Sequence, residues 1–174
     1  MSKRETYVGD GQRNIFLAST QAGVATSTGL STTQTGITLT NPAGSGKTLV
    51  LLQLNGAVSA APAGAAPLVL AANVNPVAAA VTQTTPLTVR RANLGVSGTG
   101  AGLAASAVTL PAAPVVVAAI QAPVAGSSIT PANINVSFDG SICVAPGCAI
   151  SLSSITTAVT GIWSLVWEEI DEIA

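Results

Sequence analysis

Every long apolar stretch of this chain is cut short by proline or glycine. Leu49 to Leu54 is followed by Gly56, Pro62, Gly64 and Pro67, and the uncharged run Ala101 to Gly126 is interrupted by Pro111, Pro114 and Pro123. Inside a helix a proline costs about 3 kcal/mol and a glycine about 1 kcal/mol. Alanine-rich pieces with helical propensity are therefore broken early, and no helical stripe survives. Short strand-like runs remain. They are Asn14 to Ala18 with Phe16 as anchor, Gly36 to Thr40, Lys47 to Leu54, a run from Leu68, Leu87 to Leu94, Val108 to Leu110, Val115 to Gln121, Ile134 to Phe138, Ile142 to Val144, Ala149 to Leu152, and Ala158 to Ile170. Ser19 to Thr35 reads as a loop or a ragged strand around Val24. About eight to ten short strands with closely spaced turn signals predict an all-β sandwich or barrel.

The turns have recognisable chemistry. Asn41-Pro42-Ala43-Gly44-Ser45-Gly46 combines Asn-Pro with two glycines. Asn55-Gly56 marks the end of the Lys47 strand or a hairpin, and Asp139-Gly140 marks another turn. Pro146-Gly147 between Ile142–Val144 and Ala149–Leu152 predicts a compact hairpin. Trp163, Leu165 and Trp167 alternate onto one face of the last strand and are expected in the core, with the acidic end beyond them in solvent.

Gly46-Lys47-Thr48 also resembles the end of a phosphate-binding loop. Such a loop needs glycine at its first position and a helix whose N-terminus faces the phosphates. The first position here is Asn41, and the following residues read as a strand. No Asp or Glu lies between Asp10 and Asp139 to hold magnesium. A P-loop-like nucleotide-binding protein is thus the weaker alternative.

The chain of 174 residues suits one domain, Asn14 to Ala174, preceded by an extended arm, Met1 to Arg13. Only 7% of residues are charged, 48% are apolar and just 3% aromatic, so Ala, Val, Leu and Ile supply the apolar mass. A surface so poor in charge predicts burial of much of it against copies of the chain or a larger assembly. With no histidine, the usual general base and the commonest metal ligand are missing. No catalytic residues, cofactor or metal are expected. The near-neutral net charge of −1 gives no pull toward nucleic acid or an anionic membrane. The prolines argue against a membrane-spanning helix, and Met1 to Arg13 has no apolar core of a secretory signal. Cys143 and Cys148 flank Val-Ala-Pro-Gly, where a disulfide is geometrically possible, but two thiols without a redox role are expected.

Between Asn14 and Phe138 the only charges are Lys47, Arg90 and Arg91. With Lys3, Arg4 and Arg13 of the arm, Arg90 and Arg91 are the candidate interaction residues. Lys47 is expected to be a solvated strand-end lysine or a subunit contact.

Two stretches resemble structural proteins of tailed phages. One is Leu39 to Leu51, containing NPAGSGK. The other is the ending, in which the Pro146-Gly147 turn precedes a strand closing in Trp167-Glu168-Glu169-Ile170. The resemblance is to head decoration or cement proteins. It implies a jelly-roll β-sandwich that assembles as a homotrimer on the major capsid protein, made in the host cytoplasm and located on the virion surface. A phage tail, fibre or receptor-binding component is the alternative within the same class.

Overall fold

The last strand sets the pattern for the whole molecule. From Thr160 to Asp171 buried and outward residues alternate, placing Trp163, Leu165, Trp167 and Glu169 inside. The computed structural model describes residues 14–73, 80–95, 98–121 and 133–172. Among these, thirteen strand segments form: β1 (Ile15–Ser19), β2 (Val24–Ala25), β3 (Ser27–Thr28), β4 (Thr33–Thr40), β5 (Lys47–Val58), β6 (Leu68–Asn73), β7 (Thr82–Leu87), β8 (Arg90–Arg91), β9 (Leu103–Thr109), β10 (Val115–Gln121), β11 (Asn133–Val144), β12 (Ala149–Ser154) and β13 (Thr160–Asp171). No helix is long and apolar enough to cross a membrane among the described residues. The expected arm, Met1 to Arg13, lies outside them.

The strands form two sheets packed face to face. The first runs β11-β5-β13-β1-β8, with β2 added to β13. The second runs β10-β6-β12-β4-β9-β7, with β3 added to β12. All pairs are antiparallel except the two-residue β3 contact. Setting aside the small strands β2 and β3 and the β7 to β9 insertion leaves eight strands. Numbered in chain order, they form the arrays 1-8-3-6 and 2-7-4-5. This is the strand order of a jelly roll, so the fold is a jelly-roll β-sandwich: the strand spacing predicts the sandwich-or-barrel class, and the resemblance implies the jelly roll. The β7 to β9 insertion follows β6 and extends both sheets: β9 lies beside β4 and β7 beside β9, while β8 lies beside β1.

One continuous core lies between the sheets. The first sheet contributes Phe16, Leu49, Leu51, Leu54, Trp163, Leu165 and Trp167. The second contributes Ile37, Leu39, Leu68, Leu70, Ile150 and Leu152. Each large side chain withdrawn fully from water contributes roughly 1.5–3 kcal/mol. Phe16 and Trp167 stack with centroids 6.2 Å apart. The indole of Trp163 fits against two glycines, Gly56 on β5 and Gly161 on its own strand, and its Nε1 donates to the Val24 carbonyl at 2.8 Å.

The outward faces of the two sheets differ. In the second sheet, Ala71, Ser151, Thr38 and Ala105 lie in register across four strands, and all are buried although they point away from the main core. Thr38 and Ser151 share a 2.9 Å hydroxyl hydrogen bond, and the Ser153 hydroxyl donates to Gln34 Oε1 at 2.6 Å. These four polar side chains are thus paired within the sheet, whereas the buried Thr40 Oγ1 and Ser154 Oγ have no partner among the described residues. The first sheet keeps its outward face partly open, from Ile15 and Leu17 on β1 to the exposed polar residues of β11.

Several local expectations change. Asn55-Gly56 does not end a strand: β5 runs on to Val58, and Gly56 is the floor beneath Trp163. Asp139-Gly140 does not reverse the chain. Its positive φ angles of 47° and 81° fall within β11, where the register jumps between Ser137 and Ile142. Four residues of β11 then face the single residue Leu52 of β5, an enlarged bulge. Pro146-Gly147 joins no hairpin, because β11 belongs to the first sheet and β12 to the second. β9 begins at Leu103, five residues before the strand expected from Val108.

Candidate interaction site

The loop that resembles a phosphate cradle is a crossing between sheets. Asn41 is fully buried at its centre. Its Nδ2 donates to the carbonyls of Lys47 at 2.7 Å and Val144 at 2.8 Å, and its Oδ1 accepts from Ser45 Oγ at 2.6 Å. Its backbone N–H donates to the Cys148 carbonyl, and its own carbonyl accepts from Gly147 N–H. One side chain therefore fastens the β4–β5 crossing to the β11–β12 crossing. Lys47 opens β5, a strand, so the chain after it supplies no helix N-terminus for phosphate. The Lys47 ammonium donates to Asp171 Oδ1 at 2.5 Å, across the β5–β13 register. That hydrogen bond, and the positive charge behind it, hold the Asp171 carboxyl below its ordinary range.

Arg90 and Arg91 pair with Leu17 and Phe16 of β1, so they project to opposite faces. Arg91 turns inward. Its guanidinium carbon lies 5.6 Å from the Phe16 ring centroid, and its Nη2 donates to Asn14 Oδ1 at 2.8 Å. This arginine is engaged within its own chain. Arg90 shares the outward face with Leu17 and is exposed. Lys3, Arg4 and Arg13 lie outside the described residues.

One residue of the acidic end, expected in solvent, lies inside the sandwich. Glu169 is only 6% exposed. Its carboxylate accepts from the backbone N–H groups of Ala101 at 2.9 Å and Gly102 at 2.8 Å, and from Trp167 Nε1 at 3.2 Å. Burial of a carboxylate is tolerable when its oxygens are met by such donors. The signal was present in the alternation of β13, which puts Glu169 on the same face as Trp163, Leu165 and Trp167, while Glu168 faces out. What the sequence did not reveal was the distant glycine loop that supplies the donors.

Cys143 and Cys148 are free thiols. Cys143 is exposed on β11. Cys148 packs against the core, and burial pushes its thiol pKa up. No group of three His, Cys, Asp or Glu residues is arranged to hold a metal among the described residues. The side chains that bear charge in this region serve chiefly as fasteners: Lys47 with Asp171, Arg91 with Asn14 and Phe16, Glu169 with the 101–102 backbone. The chain matches no known family model, no characterised protein and no solved structure.

Proposed function

We propose that this chain is a non-enzymatic structural protein of a tailed-phage virion. In this reading it decorates and cements the capsid as a homotrimer seated on the major capsid protein. The observation that carries the reading is the eight-strand order, 1-8-3-6 over 2-7-4-5, a sandwich used widely in viral shells. Jelly rolls also serve as lectins and cupins. A charge-poor chain without histidine, whose inward ionic groups are tied into the fold, fits an adhesive role better than a catalytic one. Adhesion of this kind draws on many shallow contacts repeated by symmetry, so weak single sites add up through avidity.

The test is the position and copy number of the chain in purified particles, by quantitative mass spectrometry and electron microscopy. The expected result is many copies distributed over the capsid. A few copies at the tail would replace the cement reading with a tail or receptor-binding one, and particles lacking the chain would overturn both.

A further inference from the structure

We infer that the outward face of the first sheet is the surface on which the chain packs against a second copy of itself, with Arg90 of one copy meeting Glu168 of the next. This rests on the reading of the chain as a self-assembling structural protein.

The sheet edges are poorly suited to the task. A bare edge strand invites pairing with another chain, and proteins blunt such edges with bulges, proline or shortness. All four edges here are blunted. β11 carries the Asp139-Gly140 excursion, β8 has two residues, β10 has two register shifts in seven residues, and β7 has two shifts and Pro86. The outward face of the second sheet is already buried at its middle strands. The outward face of the first sheet remains.

Its composition is apolar around β1 and both ends of β13, and polar at Gln53, Asn55 and Ser164 in the middle of β5 and β13. Ile15 and Leu17 on β1, Val50 on β5, and Ile162, Val166 and Ile170 on β13 all point away from the core. Ile162 is 45% exposed. Rows of five, twelve, two and twelve residues at about 3.3 Å each and about 4.8 Å apart give β1, β5, β8 and β13 a face of about 500 Å². That is the scale of a weak contact, below the roughly 800 Å² per partner of a standard stable interface.

The charges specify what covers it. Among the described residues of β1, β5, β8 and β13, the outward face carries one cation, Arg90, and one anion, Glu168. Arg90 is in register with Leu17, which pairs with Val166, and Glu168 lies two residues further along β13. From strand spacing the two are about 12 Å apart on one face, with Leu17, Ile15 and Val166 between them. Arg90 and Glu168, one charge of each sign on one face with apolar residues between them, make that face complementary to itself across a twofold axis, so the contact pairs two copies and would link one trimer to the next rather than close the trimer. Glu168 keeps the bonding it has within its own chain, since a carboxylate offers about four acceptor sites.

The test is sedimentation velocity on the full chain from about 1 to 100 µM, with R90E, E168R and the R90E/E168R double variant. Wild type should associate. Each single reversal should weaken association at least about tenfold, and the double variant should recover to within about threefold. Tryptophan fluorescence reports whether each variant is folded. If E168R fails to fold, Ile162→Lys at the exposed margin replaces it and should weaken association likewise. Monomeric wild type would overturn the self-assembling reading. Wild type that associates while every folded variant matches it would overturn this interface alone, as would loss of association in both singles without recovery in the double.

Discussion

The six-membered ring of Trp163 rests on the backbone of Gly56, where a Cβ would stand 2.5 Å from Cζ3 and 2.6 Å from Cε3. Gly161 lies against another edge of the same ring, where a Cβ would meet Cζ2 at 2.8 Å and the Ala57 carbonyl at 2.7 Å. Both glycines thus lie closer to the ring than a residue with a Cβ can. Gly56→Ala should therefore destabilise the fold by about 2–3 kcal/mol, the cost of overpacking a close-packed core. Urea unfolding followed by tryptophan fluorescence measures it. A loss below about 0.5 kcal/mol would show that the ring is free to shift.

Asn41 offers a second test. Replacing it with alanine strands the buried Val144 carbonyl and leaves that of Lys47 only its longer bond from Ser45 Oγ, which should cost about 2–3 kcal/mol. Asn41→Asp should cost more, because a carboxylate would face two carbonyl oxygens. Equal stability of wild type and Asn41→Asp in urea melts would refute the fastening role.

Glu169→Gln keeps the shape but turns an NH₂ group toward donors. The expected loss is about 2–3 kcal/mol, since hydrogen bonds to charged groups are the stronger kind. Hydrogen exchange gives a local readout. The amides of Ala101 and Gly102 should lose protection more than those of β5, whereas uniform change across the sandwich would count against a local latch.

The Lys47–Asp171 pair carries a pH signature. Its folded-state carboxyl titrates below the ordinary value of 3.8, first through the hydrogen bond from Lys47 and then through its charge. The stabilising contribution is therefore present above the unfolded pKa and is lost as pH falls through the folded one. Lys47→Met should return the Asp171 titration, followed by NMR, toward its ordinary range. It should also flatten the stability profile in that acidic window. Asp171 is solvent-exposed, so the effect at neutral pH should be small.

The thiols should differ in rate. Exposed Cys143 should react with an aromatic disulfide reagent promptly at mildly alkaline pH. Cys148, partly buried and with its pKa raised, should lag until the protein is unfolded. Two equally fast equivalents in the native protein would contradict its placement.

Much of the sandwich was legible in the sequence because period-two alternation and breaker residues are local signals. Trp163, Leu165 and Trp167 announced the central strand, and Ile134, Val136 and Phe138 share a face as their spacing requires. Asp139-Gly140 and Pro146-Gly147 show where local reading ends. The same dipeptides that close hairpins also make bulges and sheet crossings, and only strand pairing distinguishes these. Glu169 was hidden for the same reason. Its donors lie about seventy residues away, and no composition window joins them. Of the interaction residues, the sequence selected the Arg90-Arg91 pair, but only the β8 register separates an outward Arg90 from an inward Arg91.

β13 lies between β1 and β5, which are not neighbours in the first sheet without it. During synthesis, β1 and β5 emerge long before residues 160–171. Until those residues leave the ribosome, Phe16, Leu49, Leu51 and Leu54 lack the strand that joins them. Closure of this sheet is therefore a late event of biosynthesis. Until then the apolar faces of β1 and β5 lack the strand that lies between them, which is where a holding chaperone would act.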